Sequence, residues 1–213
     1  MKVTVVGANG QIGKQLVRLL KESGHTPIAM VRKQEQVDEF SKEGIESVLA
    51  DLEGPVSDLV EAFKGSEAIV FTAGSGGSTG LDKTLLIDLD GAVKTIEAAE
   101  HIGVKRYVMV SALQANNREK WNKDIRPYYV AKHYADEMLI ASDLDYTIVR
   151  PGGLLNESGT GKVKVAENVE KGSIPREDVA KVLLEILDAA NTYRKSFDLI
   201  SGEKPIKEEI DKL

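Results

Sequence analysis

Tyr128 and Lys132 stand four residues apart, so on a helix they occupy one face, a turn from each other. A phenol ordinarily titrates near 10, and a cation beside it lowers that value, which makes such a pair able to move a proton. The same spacing also suits two amphipathic side chains with buried stems and exposed tips. Tyr129 and His133 repeat it one residue along and offer an offset register. Ser111, a hydroxyl at the end of an apolar run, is the third group of this kind. Near the start of the chain, Gly7, Gly10 and Gly13 follow a β-branched run and precede a helical pattern. Gly7 lets the chain leave a strand in a tight turn, Gly10 lets backbone approach a pyrophosphate, and Gly13 lets the helix pack close to a sheet. Phosphates would lie on the helix N-terminus, where free N–H groups and the helix dipole favour anions. A glycine-rich turn without a ligand has the same composition.

These groups need elements that bring them together, and the apolar pattern supplies them. Strands are expected at residues 1–6, 27–31, 46–50, 68–71, 105–110 and 145–150, the last broken by Pro151-Gly152-Gly153. Between them run helices, the first with Ile12, Leu16, Leu19 and Leu20 at helical spacing and a stop at Ser23-Gly24. Others are read at 56–63, at 81–101 with Leu85, Leu89, Ala92, Val93, Ile96 and Ala99 inward, and at 128–142. Residues 116–126 are polar apart from Trp121 and read as a surface loop, and the glycine-serine run 74–80 reads as a mobile loop able to order over a ligand. After Gly152 a short strand at 162–165, a helix opened by Pro175, a strand at 197–200 and a terminal helix near Ile206 and Ile210 are expected. The alternation implies an α/β fold, a three-layer doubly wound parallel sheet with helices on both faces. It forms one domain over residues 1–213, with a small substrate-side extension within about 152–213. Gly7, Arg32, Asp51, Gly74, Ser111 and Pro151 each fall just past a strand, and in an open parallel sheet those strand ends share the ligand-binding edge. Arg32 is 19 residues beyond Gly13, where an acid would hold the ribose hydroxyls of NAD(H) and an arginine would accommodate the 2′-phosphate of NADP(H). No acid stands there, which favours NADP(H), although Arg32 also suits a solvated helix start. Asp51 equally suits a turn before Gly54-Pro55.

Composition narrows the remaining classes. The 213 residues contain no cysteine and three scattered histidines, which removes disulfides and cysteine nucleophiles and gives no metal-ligand spacing. The net charge of −6 comes from mixed acidic and basic residues, so no basic footprint for nucleic acid or an anionic membrane is present. No apolar run reaches the roughly 20 residues a membrane helix needs. The chain opens on a strand rather than a signal peptide, so a cytoplasmic location is expected. The expected partner is a small-molecule substrate, and nothing sets the oligomeric state; a monomer is compatible with the sequence.

The Gly7–Gly10–Gly13 spacing, G-x-x-G-x-x-G, resembles that of the extended and atypical branches of the short-chain dehydrogenase/reductase superfamily, which includes epimerase/dehydratase-like proteins. The passage from Ile87 to Ser111, with Asp88, Gly91, Glu97-Ala98-Ala99 and the segment Gly103-Val104-Lys105-Arg106-Tyr107-Val108, is similar to the atypical members, as is 174–180. The resemblance covers essentially the whole chain and implies a Rossmann fold. It implies cofactor contacts at Gly7, Asn9, Gly10, Gln11, Ile12 and Gly13, with Arg32 and Lys33 at the 2′-phosphate. Asp51 would accept from the adenine amino group and Leu52 would line the ring, while Ala73, Gly74 and Ser75 would pass the cofactor closely. Pro151 and Gly152 would offer backbone to the nicotinamide carboxamide. For catalysis the resemblance implies that Tyr128 protonates a carbonyl oxygen, that Lys132 lowers the phenol and binds the nicotinamide ribose, and that Ser111 orients the carbonyl. The chain departs from the pattern in lacking an asparagine in the helix before the fifth strand, where Asp88 and Lys94 are the polar residues. Only 61 residues follow Gly152, too few for a nucleotide-sugar lobe. The implied activity is NADP(H)-dependent oxidoreduction of a small carbonyl, quinone or flavin-like substrate. The alternatives are a non-catalytic NADP(H) sensor and an epimerase/dehydratase-like protein acting on a small substrate.

Overall fold

Runs of β-branched and aromatic residues in which neighbours on both faces are apolar form strands that are buried twice over. In the computed structural model, which describes residues 1–77 and 79–213, Val3 and Val5 of the first strand enter one apolar cluster and Val6 the other. The first half of the chain forms β1 (Lys2–Val6), α1 (Gln11–Glu22), β2 (Thr26–Val31), α2 (Gln34–Lys42), β3 (Glu46–Leu49), α3 (Val56–Ala62) and β4 (Ala68–Phe71). Next come α4 (Leu81–Lys83), a π-helical segment (Thr84–Gly91), α5 (Ala92–Ile102), β5 (Arg106–Val110), α6 (Arg126–Ala141) and β6 (Asp145–Pro151). The chain closes with β7 (Gly153–Leu155), β8 (Lys162–Ala166), β9 (Ser173–Pro175), α7 (Arg176–Leu187), β10 (Lys195–Ser201), β11 (Lys204–Pro205) and α8 (Ile206–Ile210).

The main sheet runs in the order β11-β8-β10-β6-β5-β4-β1-β2-β3. From β3 to β10 every pairing is parallel, whereas β8 is antiparallel to β10 and β11 to β8. α1, α2, α7 and α8 supply buried residues to one face, and α3, α5 and α6 to the other. This is the doubly wound three-layer Rossmann arrangement. Residues 152–213 contribute β10, β8 and β11 to the same sheet, while β7 and β9 pair separately.

Four local expectations are corrected. Pro151 ends β6 rather than breaking it: it pairs with Leu199, and its carbonyl accepts from the Leu113 N–H at 3.0 Å, which needs no donor from proline. The helix at 81–101 contains the π-helical turn, which rotates its face so that Thr84 and Asp88 are buried and Leu85 is 53% exposed. Residues 116–126 are not merely a surface loop, because two 3₁₀ turns (Arg118–Lys120 and Lys123–Ile125) fold around a buried Trp121. The Trp121 indole N–H donates to the Ala115 carbonyl at 3.1 Å, and its ring stacks on Tyr129. Finally, α6 starts at Arg126 with Pro127 inside its first turn, where a missing N–H costs nothing. The run 74–80 includes Ser78, which lies outside the described residues.

Candidate functional site

The turn from β1 to α1 is built by close backbone approach. Gly7 has φ +78°, and a Cβ there would stand 2.7 Å from the Ala73 backbone, so a left-handed conformation and a steric limit coincide. At Gly13 a Cβ would lie 2.5 Å from the Gly7 carbonyl oxygen. No side chain caps the N-terminus of α1, leaving its first N–H groups for an anion. A cleft of about 540 Å³ opens here, with Gly7, Asn9 and Gly10 on its floor, Arg32, Asp51 and Leu52 along one side, and Ala73, Gly74 and Ser75 along the other. Asn9 Oδ1 is buried without a hydrogen-bond partner among the described residues. Uncapped helix amides, an orphan amide group and an apolar slot at Leu52 and Ile87 fit a dinucleotide: phosphates at the turn, adenine against the slot.

Charge is distributed to match. The backbone N–H groups of Arg32 and Lys33 both donate to Gln36 Oε1 at 3.2 Å, which starts α2. The exposed Arg32 guanidinium has no hydrogen-bond or ion-pair partner among the described residues and lines the cleft. Asp51 fulfils the turn role, its Oδ1 accepting from the Glu53 N–H at 3.0 Å, and still borders the cleft. At the rim, Lys83 Nζ donates to both carboxylate oxygens of Glu53 at 2.6 and 2.7 Å, joining the end of α4 to the loop after β3.

Beyond Ser75 the cleft meets a second group of polar residues. The Ser75 N–H donates to Asp88 Oδ2 at 3.1 Å, and Asp88, turned inward by the π-helical segment, is 1% exposed. Asp88 acts on both Tyr128 and Lys132 from across the helix pair. Tyr128 is half-buried, and its hydroxyl has no protein partner among the described residues. Burial, reinforced by the Asp88 charge, pushes the phenol above its ordinary value. Lys132 is not among the groups that set this shift. The Lys132 ammonium instead lies buried, donates to the Val110 carbonyl at 2.8 Å and sits 5.7 Å from the centre of the Phe71 ring. Burial drives Lys132 below the usual lysine range, opposed by Asp88 and Asp136.

The structure thus gathers Gly7, Asn9, Gly10, Arg32, Asp51, Leu52, Ala73, Gly74 and Ser75 on one cleft. Gln11 faces another groove, between α1 and residues 155–158. Ile12 packs in the core, Gly13 supports the turn from beneath, and Lys33 is exposed at the start of α2. Pro151 and Gly152 are buried, with the Gly152 N–H donating to the Leu199 carbonyl at 2.9 Å. Ser111 follows β5 directly, as expected, but its hydroxyl is buried and has no hydrogen-bond partner among the described residues. The offset pair Tyr129 and His133 fastens the Trp121 segment, with His133 Nδ1 3.1 Å from the Ala115 carbonyl. Lys94 turns away and donates to the Gly54 carbonyl. Sequence reasoning missed Asp136, although it continues the four-residue spacing of Tyr128 and Lys132, and the rim residue Lys83. Among the described residues no cluster of three or more His, Asp or Glu could hold a metal, and no helix is long and apolar enough to cross a membrane.

Comparison with known proteins agrees with this geometry. Residues 7–190 match a family model described as NAD(P)H-binding. The chain is 58% identical over 214 residues, with full coverage of both chains, to an uncharacterized sugar epimerase, YhfK, of Bacillus subtilis (strain 168). The solved structure of the oxidoreductase ylbE from Lactococcus lactis superposes with a TM-score of 0.92 at 32% identity, covering 100% of this chain and 96% of that one. A ceramide reductase of Caulobacter vibrioides is 31% identical over 159 residues, which are 74% of this chain and 48% of that protein. A glycine-built turn at the edge of a Rossmann sheet and a family match spanning that turn and the Tyr128 helix lead to one assignment: the chain belongs to the NAD(P)H-binding family.

Proposed function

We propose that the protein is an NADP(H)-dependent oxidoreductase that reduces a small carbonyl, quinone-like or flavin-like substrate. The observation that best supports this is the Ser75–Asp88 link, which joins the dinucleotide cleft to the face carrying Tyr128 and Lys132. Bound in that cleft, the nicotinamide would supply reducing equivalents as hydride from C4. The uncapped amides at the start of α1 hold the pyrophosphate, Arg32 neutralises the 2′-phosphate, and Asp51 and Leu52 flank the adenine. Tyr128 gives its proton to the substrate oxygen. A phenol kept protonated by burial suits donation in the reducing direction better than proton removal from an alcohol. Lys132 holds a positive charge at the ribose side, balanced by Asp88 and Asp136, and Ser111 hydrogen-bonds beside the reacting group. The names of the oxidoreductase and reductase relatives support this reading.

A second reading, a non-catalytic NADP(H) sensor, is favoured by the engagement of Lys132 with the Val110 carbonyl and by the buried Ser111 hydroxyl. NADPH oxidation against a panel of aldehydes, ketones, quinones and flavins separates the two. Tyr128→Phe is expected to lower turnover about 10²- to 10⁴-fold with NADPH affinity unchanged. Equal turnover by wild type and Tyr128→Phe refutes the acid role. Tight NADPH binding without consumption by any acceptor supports the sensor.

A further inference from the structure

Gly91 ends the π-helical segment, and nothing in its backbone calls for glycine. Its φ of −60° and ψ of −42° are ordinary helical values, and glycine inside a helix is less favourable than alanine. The reason lies in its surroundings. Gly91 is buried against Leu52 and does not itself line the cofactor cleft. A Cβ there would stand 3.1 Å from Leu52 Cβ, 3.4 Å from Leu52 Cδ1 and 3.1 Å from the Leu86 carbonyl oxygen. One side of that gap is helix backbone and the other is a side chain, so an added methyl group displaces Leu52. The loop that carries Leu52 is fastened to the same helical stretch at the next two residues. Lys83 Nζ holds the Glu53 carboxylate at 2.6 and 2.7 Å, and Lys94 Nζ donates to the Gly54 carbonyl at 3.0 Å. With the loop backbone held there, the displacement falls on the Leu52 side chain. Leu52 also belongs to the apolar cluster that includes Met30, Leu59 and Phe63, and a close-packed interior leaves it no room on that side. The open direction is the cleft, which Leu52 and Ile87 line together.

We propose that Gly91 is a positioning residue for the adenine end of the cleft: by carrying no side chain it seats Leu52 back on the helix and keeps the slot beside Ile87 wide enough for a purine ring. This rests on the NADP(H) reading in placing the adenine at Leu52. Leu52 supplies the apolar surface, and Gly91 sets where that surface lies. Position 91 thereby governs how large a base the slot admits without touching the base.

Titration calorimetry with two probes tests this: NADPH, and adenosine 2′,5′-bisphosphate, which carries the adenine and the 2′-phosphate but no nicotinamide. The proteins compared are wild type, Gly91→Ala, Leu52→Ala and the double variant. Gly91→Ala is expected to bind both probes about 10-fold more weakly, the scale of overpacking by one methyl group. In the Leu52→Ala background no branched chain remains to be pushed into the slot, so the same change should cost no more than about 2-fold. A general loss of helix packing would instead weaken binding equally in both backgrounds. Equal losses, or no loss in Gly91→Ala, overturn the proposal. If Gly91→Ala does not fold, the double variant carries the test: folding with the affinity of Leu52→Ala supports displacement of Leu52, and failure to fold overturns it. Wild type that binds neither probe removes the NADP(H) reading and this proposal with it, whereas wild type that binds both beside an unaffected Gly91→Ala refutes only the role of Gly91.

Discussion

Arg32→Ala separates the two nicotinamide cofactors with little disturbance of the fold. Arg32 is exposed, and its guanidinium has no partner among the described residues, so truncation should change stability by no more than about 0.5 kcal/mol, or a shift of about 1–2 °C in Tm. Its proposed partner is the 2′-phosphate. Hydrogen bonds to a charged group contribute about 1.5–3 kcal/mol each, and a guanidinium can make two. Because the site is open to water, a total near the value of one such bond is expected, which corresponds to NADPH binding weakened about 10- to 100-fold. NADH, lacking the phosphate, should bind the variant and the wild type alike. Salt supplies an independent check: the wild-type preference should narrow as the screening length falls from about 10 Å at 0.1 M to about 3 Å at 1 M, and the variant should show no such dependence. Titration of nicotinamide fluorescence with both cofactors at two ionic strengths gives the four affinities needed. Equal wild-type affinities, or a preference that survives in Arg32→Ala, would refute the assignment.

Gly13→Ala should destabilise the fold and abolish cofactor binding, since its Cβ would meet the Gly7 carbonyl oxygen at 2.5 Å; a folded variant with normal NADPH affinity would show that the turn can relax. Deleting the residues after Gly202 removes Ile206 and Ile210, 9% and 1% exposed. At about 1.5–3 kcal/mol each, that loss should lower Tm on the order of 10 °C by calorimetry. Glu177 is held below the usual carboxylate range by the Gly159 N–H and by Lys181. A depressed carboxylate stabilises above its unfolded pKa, about 4.3, and that contribution is lost as pH falls through the folded value. Urea midpoints of wild type and Glu177→Gln should therefore differ slightly at pH 7, by less than about 1 kcal/mol for so exposed a pair, and converge near pH 3; a gap that widens in acid contradicts the sign.

The strands were legible where burial on both faces leaves continuous β-branched or aromatic runs, as in Val3–Val6 and Ala68–Phe71. The glycine turn was legible because steric exclusion writes glycine at the points of closest approach. The helix from Leu81 was misread at one point for a physical reason: a period of 3.6 residues puts Leu85 inside, and a π-helical turn puts Asp88 there instead. Trp121 was hidden by its polar neighbours, since its partners Ala115 and Tyr129 are brought to it only by tertiary folding. The Asp136–Arg150 pair was out of reach for a similar reason. Each residue reads locally as an ordinary helix or strand-end charge, and only the packing of α6 on β6 makes them partners.

The π-helical segment also makes the site sensitive to chain length rather than to residue type. Each residue of an α-helix advances the face by about 100°, and a π-turn accommodates an extra residue without turning the following helix. Excising a single residue between Thr84 and Gly91 would let ordinary α-geometry close the gap, keeping α5 seated on the sheet through Ala92 and Ile96. Were all the residues kept and the turn closed to α-geometry instead, everything before it would swing around the axis by about that angle. Asp88 would then leave the Ser75 amide and Leu85 would turn inward, so the extra residue in the turn is what puts a buried carboxylate there in place of a leucine.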